Sequence, residues 1–198
     1  MFFSGCGSLI LGPKYTRKEF VGDSGGIMLN TTSSSEPKPF FQANQRQPYH
    51  LSVGSVLFNN KKLIACHHFK EILGQRDLYY LMRESIEDNE DVISTLDRGL
   101  MEEFGAKGKH IAFLGSLSGE LPDDKLPFNK TTLYVVSKMV SWDNNLRDKN
   151  DPESKSIIEW HKPQELIKIM KNQGQKYNRI DLDESKIIER ALPYIFVE

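Results

Sequence analysis

The chain reads as an α/β protein, and three observations carry that reading. Two short apolar runs, Leu51–Phe58 and Leu63–Phe69, lie on either side of Asn59-Asn60, a turn signal. Val92, Leu96, Leu100 and Phe104 repeat at four-residue spacing, which is the period of a helix with one apolar face. Further strand-like runs and a second helical pattern follow, so the order is strands, helix, strands, helix.

Taken along the chain, the first 47 residues are the least regular. Glycines 5, 7, 12, 22, 25 and 26 break short apolar pieces, and Thr31–Pro39 is a polar, proline-bearing linker. The expected division is an N-terminal extension with this linker over 1–47 and a domain over 48–198. Leu51–Phe58 begins with alternation and ends in an apolar run, as a strand does. Leu63–Phe69 is its hairpin partner, and Leu78–Met82 a third strand. Asp88 or Asn89 caps the helix that follows, and Gly105 ends it. Strands are expected at Ile111–Leu114 and Thr131–Val140, with Gly119–Asn129 as the loop between them. Trp142–Lys155 is a charged loop and Ser156–Trp160 a short strand. Pro163 suits the first turn of a helix over Gln164–Lys171. A last helix covers Asp183–Leu192, with Ile187, Ile188 and Leu192 inward.

Composition narrows the function. The 198 residues carry a formal net charge of −1, which provides no general pull toward nucleic acid or an anionic membrane, and no dense Lys/Arg run is present. Cys6 and Cys66 are too few for a disulfide framework, which favours a reducing compartment. Met1–Leu11 lacks a basic n-region, and no apolar stretch approaches the roughly 20 residues of a membrane span. The expected location is cytoplasmic.

The chemistry concentrates between Glu84 and Ala106. Glu90 is followed eight positions later by Arg98, and then by Gly99-Leu100-Met101-Glu102-Glu103-Phe104-Gly105. On a helix, positions 99, 102 and 103 share a face, and Arg98 reaches Glu102 four residues on. Carboxylates grouped in this way repel one another unless an arginine or a cation offsets them. Mg²⁺ takes such oxygens and keeps water and substrate phosphates as its other ligands. Alone, Glu102-Glu103 also reads as a solvated helical face and Glu90 as a first-turn partner of the helix dipole.

The whole stretch resembles the Nudix box, G-x5-E-x7-R-E-U-x-E-E-x-G-U, where U is a bulky apolar residue. Glu90, Arg98, Leu100, Glu102, Glu103 and Gly105 match it, Ala106 is apolar but small, and the likeness extends over about Tyr49–Lys171. It implies an α/β/α sandwich with a mixed sheet and a loop-helix-loop metal site. It also implies Mg²⁺- or Mn²⁺-dependent hydrolysis of a nucleoside diphosphate linked to another moiety, with homodimers common. By position, Glu102 and Glu103 would be metal ligands, Arg98 would orient them, and Glu90 would be a ligand or its support. Glu159, on the late strand, would be a further ligand or the base.

Two departures matter. Gly99 stands where the family has a glutamate that is a ligand or general base in several members, and Glu84 stands where it has a glycine. Arg83 also replaces a usual glycine. Without the base the rate falls about a hundredfold or more, unless Glu159, Glu87 or Glu84 takes over. The alternative is therefore a catalytically impaired domain serving as a nucleotide-binding, sensor or interaction module. Other signals are weaker. Cys66-His67-His68 alternates across a strand and so does not gather a zinc ion. Trp142, Tyr134 and Phe128 are either stacking platforms for a base or core anchors.

Overall fold

The structure, a computed structural model, describes residues 49–70, 77–121 and 128–197. The expected N-terminal extension and the middle of the Gly119–Asn129 loop lie outside them.

Strand β1 (Tyr49–Phe58) is the centre of the sheet. Val53, Val56 and Leu57 are fully buried, and so are Ser52 and Ser55, because both faces of this strand are covered. The serines bond across to strand β6 (Phe128–Trp142), where Ser55 Oγ donates to Ser137 Oγ at 2.9 Å and Ser52 Oγ lies 2.7 Å from Thr132 Oγ1. This leaves their hydroxyls satisfied. The β1–β6 pair is parallel and runs unbroken from Tyr49↔Asn129 to Phe58↔Lys138.

The other edge of β1 forks. Strand β2 (Ile64–Phe69) pairs with it only at Phe58↔Ile64, beside the predicted turn, and then diverges. It goes on to pair with strand β3 (Leu78–Tyr80) and strand β7 (Ile157–His161). Strand β4 (Met82–Ser85) takes the vacated edge, opposite Ser52–Ser55. The single strand expected over Leu78–Met82 is thus broken at Leu81, whose N–H turns to the Glu184 carboxylate at 2.8 Å. Strand β5 (Ala106–Leu121) pairs with β6 and extends well beyond the predicted Ile111–Leu114. Gly119, Glu120 and Asn129 are therefore ladder residues rather than loop.

Helix α1 (Val92–Phe104) covers one face of this seven-stranded mixed sheet. Leu96, Leu100 and Phe104 are fully buried against Val53, Leu57 and Met82, each contributing about 1.5–3 kcal/mol by leaving water. Its cap is Asp91 rather than Asp88 or Asn89. Asp91 is extended and accepts from Ser94 N–H at 2.8 Å, whereas Asn89 sits at φ +66° in the turn before it. Gly105, at φ +63°, ends the helix as predicted, and a Cβ there would collide with the Asp143 carbonyl oxygen. Helices α2 (Pro163–Tyr177) and α3 (Ser185–Phe196) cover the opposite face through Leu166, Met170, Ile187, Ile188, Ala191 and Ile195. Helix α2 outlasts the predicted Lys171 because Gln173 is itself buried and pairs with the backbone of Tyr79 in both directions. The result is helix, sheet, helix in three layers.

Candidate metal and catalytic site

Arg98 is the hub of the site. Its Nε donates to Glu90 Oε1 at 2.8 Å and its Nη2 to Glu90 Oε2 at 2.9 Å. Nη2 also reaches the Ser85 carbonyl at 2.8 Å, and Nη1 lies 3.2 Å from Glu102 Oε2 and 3.3 Å from Glu84 Oε2. The helix supplies the register, since residues 98 and 102 are one turn apart. The left-handed turn at Asn89 returns Glu90 to the helix start, where Thr95 Oγ1 also donates to it at 2.9 Å. These bonds, the arginine's foremost, hold the Glu90 carboxyl down at about 2. Glu90 is thus the closest partner of a guanidinium that Glu102 and Glu84 share.

Carboxylates from three separate elements then converge. Ligand oxygens of Glu84 on β4, Glu102 on α1 and Asp151 lie within 4.8 Å of one another. Asp151 belongs to the charged loop, at the start of a 3₁₀ turn over Pro152–Lys155, and accepts the Glu153 N–H at 2.7 Å. All three are half-buried. A set made only of carboxylate oxygens, with one arginine shared among Glu84, Glu90 and Glu102, fits a hard divalent cation such as Mg²⁺ or Mn²⁺. Sequence reasoning found Glu102, missed Asp151 and recorded Glu84 as a departure.

Glu103 does not join this cluster. The next position on a helix is turned by roughly 100°, so Glu103 points inward and is 2% exposed. Its Oε2 lies 2.7 Å from His67 Nε2, and the N–H of Arg83 also bonds to it. The Ser156 hydroxyl donates to the Glu153 carbonyl and accepts from Arg147, so the bond between Ser156 and His67 Nδ1 has the imidazole as donor. With His67 neutral, as its burial favours, Nε2 is the acceptor and the Glu103 carboxyl donates to it. The ionisation preferences agree. Burial raises Glu103 to about 8, and burial with the nearby Arg147 lowers His67 to about 3. Burial also raises Glu84 to about 7, with Glu103 as a lesser cause.

Glu159 is not brought there either. Neighbouring strand residues alternate in direction. Ile158 and Trp160 pack with the α1 side, and Glu159 projects from the other face. It pairs with His68 Nδ1 at 2.8 Å and His161 Nε2 at 2.9 Å. His67 and His68 thus serve opposite faces of β2, as the alternation requires. Tyr134 is fully buried, with its hydroxyl donating to Glu184, which makes it a core anchor and no platform for a base.

A cleft of about 260 Å³ lies between the Glu103 and Arg83 side chains, and Glu84, Glu102 and Asp151 do not themselves line it. Its lining includes Arg83, Glu103 and Glu153, close chain neighbours of Glu84, Glu102 and Asp151. Lys130, Arg179, Tyr80 and Phe69 complete much of the wall. Arg83 lies over the Tyr80 ring, 4.3 Å from its centroid. Burial, and then Arg83, lowers Lys130 to about 8. Cationic, aromatic and acidic side chains therefore share the cleft. Among the described residues, no helix is long and apolar enough to cross a membrane.

A solved structure shares this architecture. The chain is similar to the solved structure of a NUDIX hydrolase from Nitrosomonas europaea, at 14% identity and a TM-score of 0.53, with 73% of this chain and 88% of that one covered. The solution structure of the E. coli ORF135 protein is also similar, at 14% identity and a TM-score of 0.42, with 60% and 77% covered. No curated protein sequence matches. A family model described as NUDIX domain matches residues 48–181. That span is well over half of the chain and contains the whole carboxylate and arginine cluster, and the chain belongs to the NUDIX family.

Proposed function

We propose that this protein is a metal-dependent hydrolase that cleaves a diphosphate linkage in a nucleotide-derived small molecule. The observation that carries the reading is the convergence of Glu84, Glu102 and Asp151. A cleft lined by Arg83, the chain neighbour of Glu84, and by Lys130 and Arg179 supports it. Glu102 would hold Mg²⁺ or Mn²⁺ together with Asp151. When bound, the ion neutralises charge on the diphosphate and lowers the pKa of a coordinated water. Arg98 and Glu90 keep the Glu102 carboxylate oriented. Arg83, Lys130 and Arg179 offer cations to phosphate oxygens, and Tyr80 and Phe69 offer ring faces to the remainder of the substrate. Family membership supports the hydrolase reading.

The test is release of phosphate or nucleotide from a panel of nucleotide sugars, dinucleotides, coenzymes and nucleoside triphosphates, with Mg²⁺ or Mn²⁺. Turnover that requires metal and is lost in Glu102→Gln is the expected result. Gly99, which removes one carboxylate from the helix, favours a second reading as a nucleotide-binding or interaction module. Saturable nucleotide binding with no turnover across the panel would establish that one instead.

A further inference from the structure

Gly99 and Glu84 fill one space. A Cβ built on Gly99 would lie 2.6 Å from Glu84 Cβ, 3.1 Å from Glu84 Cγ and 3.0 Å from Met82 Sδ. Real side chains do not approach so closely, so α1 sits on β4 at a distance that only glycine at 99 permits. Met82 and Glu84 project from the same face of β4, two residues apart. The stem of Glu84 thus runs through the volume that a residue-99 side chain would occupy. Its carboxylate emerges among those of Glu102 and Asp151, 3.3 Å from Arg98 Nη1.

We propose that Glu84 delivers from strand β4 the metal-binding carboxylate that helix α1 lacks at position 99. The two positions have exchanged chemistry: the glycine has moved to the helix and the acid to the strand. The exchange explains both sequence departures at once. A glutamate at 99 would collide with Glu84, and a glycine at 84 with Gly99 in place would leave the cluster one carboxylate short. The helix propensity lost at Gly99 is the cost of admitting Glu84. The inference rests on the metal-dependent reading of the site.

The experiment measures Mn²⁺ uptake by the full-length protein, by calorimetry and by electron paramagnetic resonance, with turnover as a second readout. Glu84→Gln keeps the side-chain volume and is expected to weaken the Mn²⁺ Kd by about tenfold or more. Glu84→Gly should do the same. The double variant Glu84→Gly/Gly99→Glu, which returns the acid to the helix and the glycine to the strand, is expected to regain affinity. An unchanged Kd in Glu84→Gln, or a double variant no better than Glu84→Gly, overturns the exchange while the metal-dependent reading stands. A wild-type protein that takes up no Mn²⁺ overturns both.

Discussion

Arg98 grips Glu90 with two parallel bonds, Nε to Oε1 at 2.8 Å and Nη2 to Oε2 at 2.9 Å, across eight residues of chain. A planar fork is needed for this geometry, and a lysine cannot reproduce it. Arg98→Lys should therefore lower kcat/KM by about 10- to 100-fold, as loss of a ligand-orienting partner commonly does. Steady-state kinetics at saturating Mn²⁺ would check it, and wild-type kinetics in Arg98→Lys would remove the orienting role.

The pair formed by Tyr134 and Glu184 is fully buried, and Glu184 also accepts the Leu81 N–H. Tyr134→Phe deletes a donor to a carboxylate that remains out of water. The expected loss is about 1.5–3 kcal/mol of unfolding free energy, read from urea denaturation. Stability within error of wild type would show that another group takes over the Glu184 oxygen.

Burial raises the Glu103 carboxyl and lowers His67, which favours a neutral pair with Glu103 as the donor. Glu103→Gln retains an N–H that can make the same bond, so it should fold with near wild-type stability at pH 7. Glu103→Ala leaves His67 Nε2 without its donor and should cost about 1–3 kcal/mol. Thermal unfolding of both variants separates the cases. A strongly destabilised Glu103→Gln would mean that the carboxylate is needed in its ionised form.

His50, bonded to Ser85 Oγ at 3.0 Å, has its pKa lowered from 6.5 to about 4 by burial and by Lys130. Between these values the unfolded chain binds a proton that the folded chain does not, so this residue makes stability fall as pH drops through that window. His50→Gln should flatten the acid side of a plot of Tm against pH. An unaltered profile would assign the acid sensitivity elsewhere.

What the sequence disclosed follows from distance along the chain. Glu90, Arg98 and Glu102 lie on or beside one helix, and helical spacing alone brings them together. Asp151 arrives from a loop that has no periodicity to read, and its place depends on how residues 143–156 fold back over α1. Glu84 looked like a lost glycine because the space that it fills is set by helix-on-strand packing rather than by either segment. Glu159 was expected at the site because the resemblance implies a ligand or base on the late strand, but the two-residue alternation of β7 turns it to the other face. The break at Leu81 depends on Glu184, some hundred residues away. No local signal could announce it.

The parallel ladder between β1 and β6 joins segments eighty residues apart, as the bond between Ser52 and Thr132 shows. The first strand of the described domain therefore cannot complete its place until β6 has been synthesised. Closing so long a loop before any contact rewards it is slow. During synthesis β2 meets β1 at a single register pair and β4 pairs with Ser52–Ser55 on that same side, while the β6 edge stays open. Until β6 arrives, that open edge of the central strand is a row of unpaired backbone groups on which another chain can pair.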